Sequence, residues 1–209
     1  RNLPEYKDVF SQLLNKCGNK LVIRSLNKQE SGGTKYSFIT GAEYANKIKE
    51  DLILIVETDA IPNDYTMNIM YDTFKNFSKH MSIASVSPIY CNANKELLGH
   101  QETFFNPSKD NDLCLEINNF EFGRFSYTRY VQFTFSLWNQ ECFKYMDPSW
   151  HNLFNLDSSF GYKLFEMGYK HIRLLDQKIE HFQGGHLSLR KKLPQSLDIK
   201  ECQRIVDTF

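Results

Sequence analysis

The short apolar run Leu52-Ile53-Leu54-Ile55-Val56, closed by Asp51 on one side and by Glu57-Thr58-Asp59 on the other, is the strongest constraint on how this chain folds. It is too short for a buried helix and reads as a strand covered on both faces, the kind found where helices flank a sheet. A membrane span needs roughly 20 apolar residues, so no segment here is expected to cross a bilayer.

The surroundings of that strand extend the pattern. Tyr6, Val9, Phe10, Leu13, Leu14 and Cys17 recur at helical intervals and stop near Gly18, and a strand is expected at Leu21 to Leu26. A polar, glycine-bearing loop from Asn27 to Gly33 precedes a helix over Tyr36 to Ile48. After the apolar run, Met67, Met70, Tyr71, Phe74 and Phe77 predict another helix, and Ser82 to Ser87 a strand. Residues 89 to 126 lack a sustained period and read as a long connection with short strands. Tyr127 to Leu137 alternates and predicts one long strand. After Pro148 comes an aromatic turn region, then a helix from about Asp157 to Met167 with a left-handed cap at Gly168, and short strands at Ile172 to Leu175 and Lys178 to Phe182. Helices alternating with strands imply a layered α/β domain.

Composition narrows the function classes. Lys plus Arg number 25 and Asp plus Glu number 25, so the formal charge is zero and a general nucleic-acid coat is not expected. Hydrophobic residues at 41% and aromatics at 14% supply a core and exclude disorder. The 5 cysteines are widely spaced with no C-x-x-C pair, which reads as buried free thiols in a reducing, cytoplasmic compartment. No repeat or linker divides the 209 residues, so residues 1–209 are expected to form one domain with a C-terminal tail at 187–209.

The apolar strand delivers Glu57 and Asp59 at its carboxyl end, the edge where open α/β sheets bind ligands. Two carboxylates one residue apart in a turn can converge on one Mg²⁺ or Mn²⁺; equally, they can be turn and capping residues before the helix that follows Pro62. A second constellation bears on the choice. Phe154-Asn155-Leu156-Asp157-Ser158-Ser159-Phe160-Gly161-Tyr162-Lys163-Leu164-Phe165-Glu166-Met167-Gly168-Tyr169-Lys170 is followed by Glu180-His181-Phe182-Gln183-Gly184-Gly185-His186.

In the order and spacing of these segments the chain resembles the family 2 glycosyltransferases of the GT-A fold. The galactofuranosyl and rhamnosyl transferase branches look nearest. Gly33 and Gly41 with Ala42 and Ala45 are similar to that family's glycine-bearing helix, and Phe135 to Phe143 to its acceptor-side segment. The resemblance covers about residues 20 to 186. It implies a Rossmann-like, GT-A mixed sheet flanked by helices. It also implies an inverting, metal-dependent transfer of a sugar from a nucleoside-diphosphate sugar to a hydroxyl of a glycan or lipid-linked glycan. Cell-surface polysaccharide synthesis in the cytoplasm, at the cytoplasmic face of a membrane, would be the setting.

The resemblance also implies roles. Glu57, Asp59 and His181 would hold Mn²⁺ or Mg²⁺, and Asp157 would be the base that takes the acceptor proton. Gly33, His186 and Arg190 would contact the donor. Each has a plainer reading beside it. Asp157 can be a helix N-cap, His181 a hydrogen-bonded strand-end histidine, His186 part of a flexible turn, and Arg190-Lys191-Lys192 a solvated run. Trp138 and Trp150 can stack on an acceptor sugar or pack in the core.

The chain departs from the pattern at Leu156 and Ser159, where many members carry acids, and at Glu57, where Asp is commoner. The opening strands that grip uracil and ribose have no counterpart, so an N-terminally incomplete domain is expected. Two rival readings follow: a non-catalytic module of the same fold, or another nucleotide-sugar metalloenzyme such as a nucleotidyltransferase. The latter should carry a glycine-rich, Lys/Arg-bearing loop near its start, and none is present.

Overall fold

The structure is a computed structural model that describes residues 34–57, 60–61, 64–92, 94–97, 116–146 and 156–181. The helix expected at Tyr6 to Cys17, the strand at Leu21 to Leu26 and the turn after Pro148 lie outside them. In chain order the elements are α1 (Thr34–Lys47), β1 (Leu52–Val56), β2 (Ala60–Ile61), α2 (Asp64–Phe77), β3 (Ile83–Cys91), β4 (Glu116–Phe120) and β5 (Gly123–Thr128). Then come β6 (Phe135–Asn139), a short 3₁₀ helix (Gln140–Tyr145), α3 (Leu156–Glu166) and β7 (Lys170–His181).

The strands form one mixed sheet in the order β1-β6-β3-β7-β5-β4, with β2 also paired to β7. β3 and β7 run parallel, and β6 runs antiparallel to both β1 and β3. β1, β3 and β7 therefore point the same way and end on one edge of the sheet. The expected α/β architecture, a mixed sheet flanked by helices, is what the chain adopts.

Successive residues on a strand face opposite sides, and Leu137 and Trp138 divide the core accordingly. On one side Trp138, Ile55 and Ala84 pack with Ala42 of α1 and with Leu156, Phe160 and Leu164 of α3. On the other, Leu137, Phe135 and Val86 pack with Ile69, Met70 and Phe74 of α2. Ala42 and Ala45 present only methyl groups, which lets α1 lie close, and Gln140 Nε2 donates to the Ala42 carbonyl at 3.0 Å. Gly168 takes the expected left-handed conformation, with φ of 91°, and ends α3. Cys91 and Cys142 are buried free thiols as expected, and burial pushes the Cys142 thiol up to about 12. No helix among the described residues is long and apolar enough to cross a membrane.

Four sequence expectations change. β1 is an outer strand among the described residues, not one covered on both faces: Ile55 is buried while Leu54 and Val56 are 40% and 44% exposed. The long strand expected over Tyr127 to Leu137 is two, because the chain leaves β5 beside β7 and crosses to insert β6 between β1 and β3. β3 continues past Ser87 to Cys91 although Pro88 lacks an N–H. The pairing with β7 shifts register between Pro88 and Ile89, the kind of irregularity at which a proline is tolerated in a sheet. The two short strands expected after Gly168 are one strand, β7, whose two paired stretches flank that same shift.

Candidate functional site

The carboxyl ends of β1, β3 and β7 and the start of β6 meet at one edge, and the sequence places polar groups there. Glu57 follows β1 directly. Its N–H donates to the Thr134 carbonyl at 2.8 Å, and its own carbonyl accepts from Ala60 N–H at 3.1 Å. Ala60 in turn pairs with His181, so Glu57 is tied through Ala60 to the last residue of β7. The Glu57 carboxylate is fixed from two sides: Thr134 Oγ1 donates to Oε2 at 3.0 Å, and His181 Nε2 lies 3.8 Å from the same oxygen.

Asp157 lies in the first turn of α3, not at its cap position, since the helix begins at Leu156. A carboxylate there is favoured by the helix dipole. Its Oδ1 accepts from Ser158 N–H at 2.8 Å, and the Phe133 main chain lies close enough to favour the ionised form. Burial nevertheless raises its pKa to about 6, and the nearby Glu57 charge adds to the rise while the N–H donors oppose it. Asp157 and Glu57 are thus close enough to feel each other, joined by the adjacent residues Phe133 and Thr134.

The floor of the site is Tyr90 and Arg173. Tyr90 is 1% exposed; its hydroxyl donates to the Phe135 carbonyl at 3.0 Å, and its ring lies edge-on to His181 at 6.0 Å. Arg173 places its guanidinium 5.5 Å from the Tyr90 ring and donates through Nη1 to the Pro88 carbonyl at 2.9 Å. Burial pulls the Arg173 pKa down and the Tyr90 pKa up, and the guanidinium eases the latter.

Of the residues singled out from the sequence, Glu57 and His181 are therefore neighbours, and Asp157 lies within electrostatic reach of Glu57. Asp59, Gly33, His186 and Arg190 lie outside the described residues. Two ligands about 2.0–2.2 Å from one cation stand no more than roughly 4.4 Å apart. The 3.8 Å between the Glu57 oxygen and the His181 nitrogen fits that span. An oxygen and an imidazole nitrogen also suit a transition-metal dication such as Mn²⁺. They are two donors, and no group of three His, Cys, Asp or Glu residues placed for a metal occurs among the described residues.

The departures at Leu156 and Ser159 acquire a physical reason: both are buried, at 5% and 3% exposure, where an acid would lack solvent. Trp138 is a core residue, fully buried, stacked on Phe160 at 5.5 Å and donating Nε1–H to Ser136 Oγ at 2.7 Å. It is not placed to meet a sugar. The sequence reading missed Phe133, Thr134, Tyr90 and Arg173. The first two act largely through main-chain groups that no motif records; the only available signal was a Thr in the middle of an aromatic strand pattern.

No family model matches this chain, and no curated protein matches it. Among solved structures, the chain is similar to the crystal structure of A197 from STIV. The likeness covers 81% of this chain and 75% of that one, at 13% identity and a TM-score of 0.46.

Proposed function

We infer that this chain is an inverting, metal-dependent glycosyltransferase of GT-A type. It would move a sugar from a nucleoside-diphosphate sugar to a hydroxyl of a glycan or lipid-linked glycan. The observation that supports this best is the meeting of Glu57, Asp157 and His181, distant in sequence, at the carboxyl edge of β1, β3 and β7. A carboxyl group with a pKa of about 6 is matched to proton transfer near neutrality.

Glu57 and His181 are the residues that would hold a divalent cation, whose chemistry is to neutralise charge on a departing diphosphate. Asp157 then acts on the acceptor. Its carboxylate takes the proton of the attacking hydroxyl, and the Ser158 N–H holds it in place without satisfying all of its lone pairs. Glu57, tied through Ala60 to β7, holds the cation side of the site in place relative to the base.

The rival is a non-catalytic module of the same fold, and burial of Leu156 and Ser159 favours it, since Asp157 then works without a second acid. Titration calorimetry with UDP, GDP and dTDP, with and without Mn²⁺, tests the transferase reading. It expects one nucleotide to bind and Mn²⁺ to strengthen it; absence of nucleotide binding to the chain extended by any upstream residues sinks it. Nucleotide binding without sugar transfer to any offered acceptor selects the module.

A further inference from the structure

Three consecutive residues leading into β6 bear on the site. The Phe133 main chain lies close enough to the Asp157 carboxyl group to favour its ionised form. Thr134 holds Glu57 twice, its carbonyl accepting from Glu57 N–H at 2.8 Å and its hydroxyl donating to Oε2 at 3.0 Å. Phe135 exchanges two hydrogen bonds with the Tyr90 hydroxyl, its carbonyl accepting at 3.0 Å and its N–H donating at 3.3 Å. All three are buried, at 4%, 5% and 0% exposure, while the Glu57 carboxylate they hold is itself half-exposed.

We propose that residues 133–135 form a strap that sets the spacing of the two carboxyl groups. Thr134 is the positioning residue that aims Glu57 at His181, and the Tyr90 hydroxyl is the peg that keeps the strap in register. Packing alone does not require these hydroxyls: Val in place of Thr134 and Phe in place of Tyr90 would fill similar space. What the hydroxyls add is direction. Without its donor, the Glu57 carboxylate has three side-chain torsions to relax along and a half-exposed surface to relax toward. The consequence for cation binding rests on the transferase reading above; the positioning itself does not.

The test pairs structure with binding. Crystal structures of the full chain are determined for wild type, Thr134→Val, Thr134→Ser and Tyr90→Phe, and each protein is titrated with Mn²⁺ alone by calorimetry. In Thr134→Val the Glu57 carboxylate is expected to leave His181, opening the 3.8 Å separation beyond the roughly 4.4 Å that two ligands of one cation span. Mn²⁺ affinity should fall about tenfold, the worth of one hydrogen bond to a charged group. Thr134→Ser restores both. Tyr90→Phe shifts residues 133–135 together and so moves Glu57 and Asp157, whereas Thr134→Val moves Glu57 alone. A Glu57 carboxylate unmoved in Thr134→Val, or in Thr134→Ala should the valine variant not fold, overturns the proposal. Displacement of Glu57 in a protein whose wild type binds no Mn²⁺ upholds the positioning and removes the cation reading instead.

Discussion

Replacing Asp157 by Asn exchanges one carboxyl oxygen for an amide nitrogen and still leaves the Ser158 N–H an acceptor. The local geometry survives while the proton acceptor is lost. A positioned general base contributes about 10²–10⁴-fold to rate, so Asp157→Asn should lower kcat by that factor with nucleotide affinity unchanged. Steady-state kinetics beside calorimetry checks both halves, and unaltered turnover removes Asp157 from the mechanism. On the transferase reading, the same carboxyl group sets the wild-type pH profile. It must be ionised to accept a proton, so kcat should fall about tenfold per pH unit once the pH drops below about 6. Asp157 and Glu57 were legible in the sequence because side-chain chemistry at fixed offsets from an apolar strand and a helix start leaves a pattern. Thr134 and Phe133 were not, since the groups they offer include a carbonyl and an N–H that every residue carries. Their importance comes from where the chain crosses the sheet.

At the scale of elements, the site depends on α3 lying tightly against the crossing segment 129–134. Gly161 makes that approach possible: a Cβ there would sit 2.3 Å from the Tyr130 Cβ and 2.8 Å from its Cα. Main-chain atoms cannot rotate aside. Ala is favoured over Gly inside a helix by about 1 kcal/mol, while overpacking costs about 1–3 kcal/mol, so the clash should win. Gly161→Ala is therefore expected to lose up to about 2 kcal/mol in urea unfolding, and to lose kcat as well, because moving α3 carries Asp157 away from the crossing segment and Glu57. Equal stability to wild type would mean that the segment yields freely and that α3 is not held there. The sequence marked Gly161 within a recognisable helix but could not show its partner, for Tyr130 lies in a stretch whose alternation imitated one continuous strand. The pattern was real on both sides of the break, in β5 and β6; what hid the break is that alternation survives when a chain leaves one place in a sheet and enters another. The same blindness split β7 in two. Asp176 and Gln177 interrupt its apolar pattern, yet they lie where the pairing with β3 slips past Pro88, and the strand runs on.

For the whole molecule, the buried His171 and the partly buried Asp157 set stability against pH in opposite senses. His171 is fully buried between Ser85 and α3: the Gly161 carbonyl can only accept, so Nε2 carries the proton at 3.0 Å and Nδ1 accepts from Ser85 Oγ at 2.7 Å. Burial lowers its pKa to about 4, the Gly161 carbonyl opposing and Arg173 assisting. Its contribution is complete above the unfolded value of 6.5 and is lost as pH falls toward about 4. Asp157 behaves oppositely. With a folded pKa of about 6 against an unfolded 3.8, its contribution is complete below 3.8 and is lost as pH rises through about 6. The two slopes overlap between about pH 4 and pH 6 and offset each other there, so these groups leave wild-type stability nearly level across that interval. Asp157→Asn removes one slope and uncovers the other. The variant should exceed wild type at pH 7.5, where the native protein holds an ionised carboxylate in a partly desolvated site. On acidification it should then lose roughly 3 kcal/mol between about pH 6.5 and pH 4, while wild type changes little. Urea unfolding of the two proteins at matched pH values measures the difference directly, and charges common to both cancel. Parallel curves would mean that Asp157 titrates as an ordinary carboxylate, which would remove the chemical ground for its role as base. A stability gain at neutral pH joined to loss of turnover would mark Asp157 as a residue kept for chemistry at the expense of the fold.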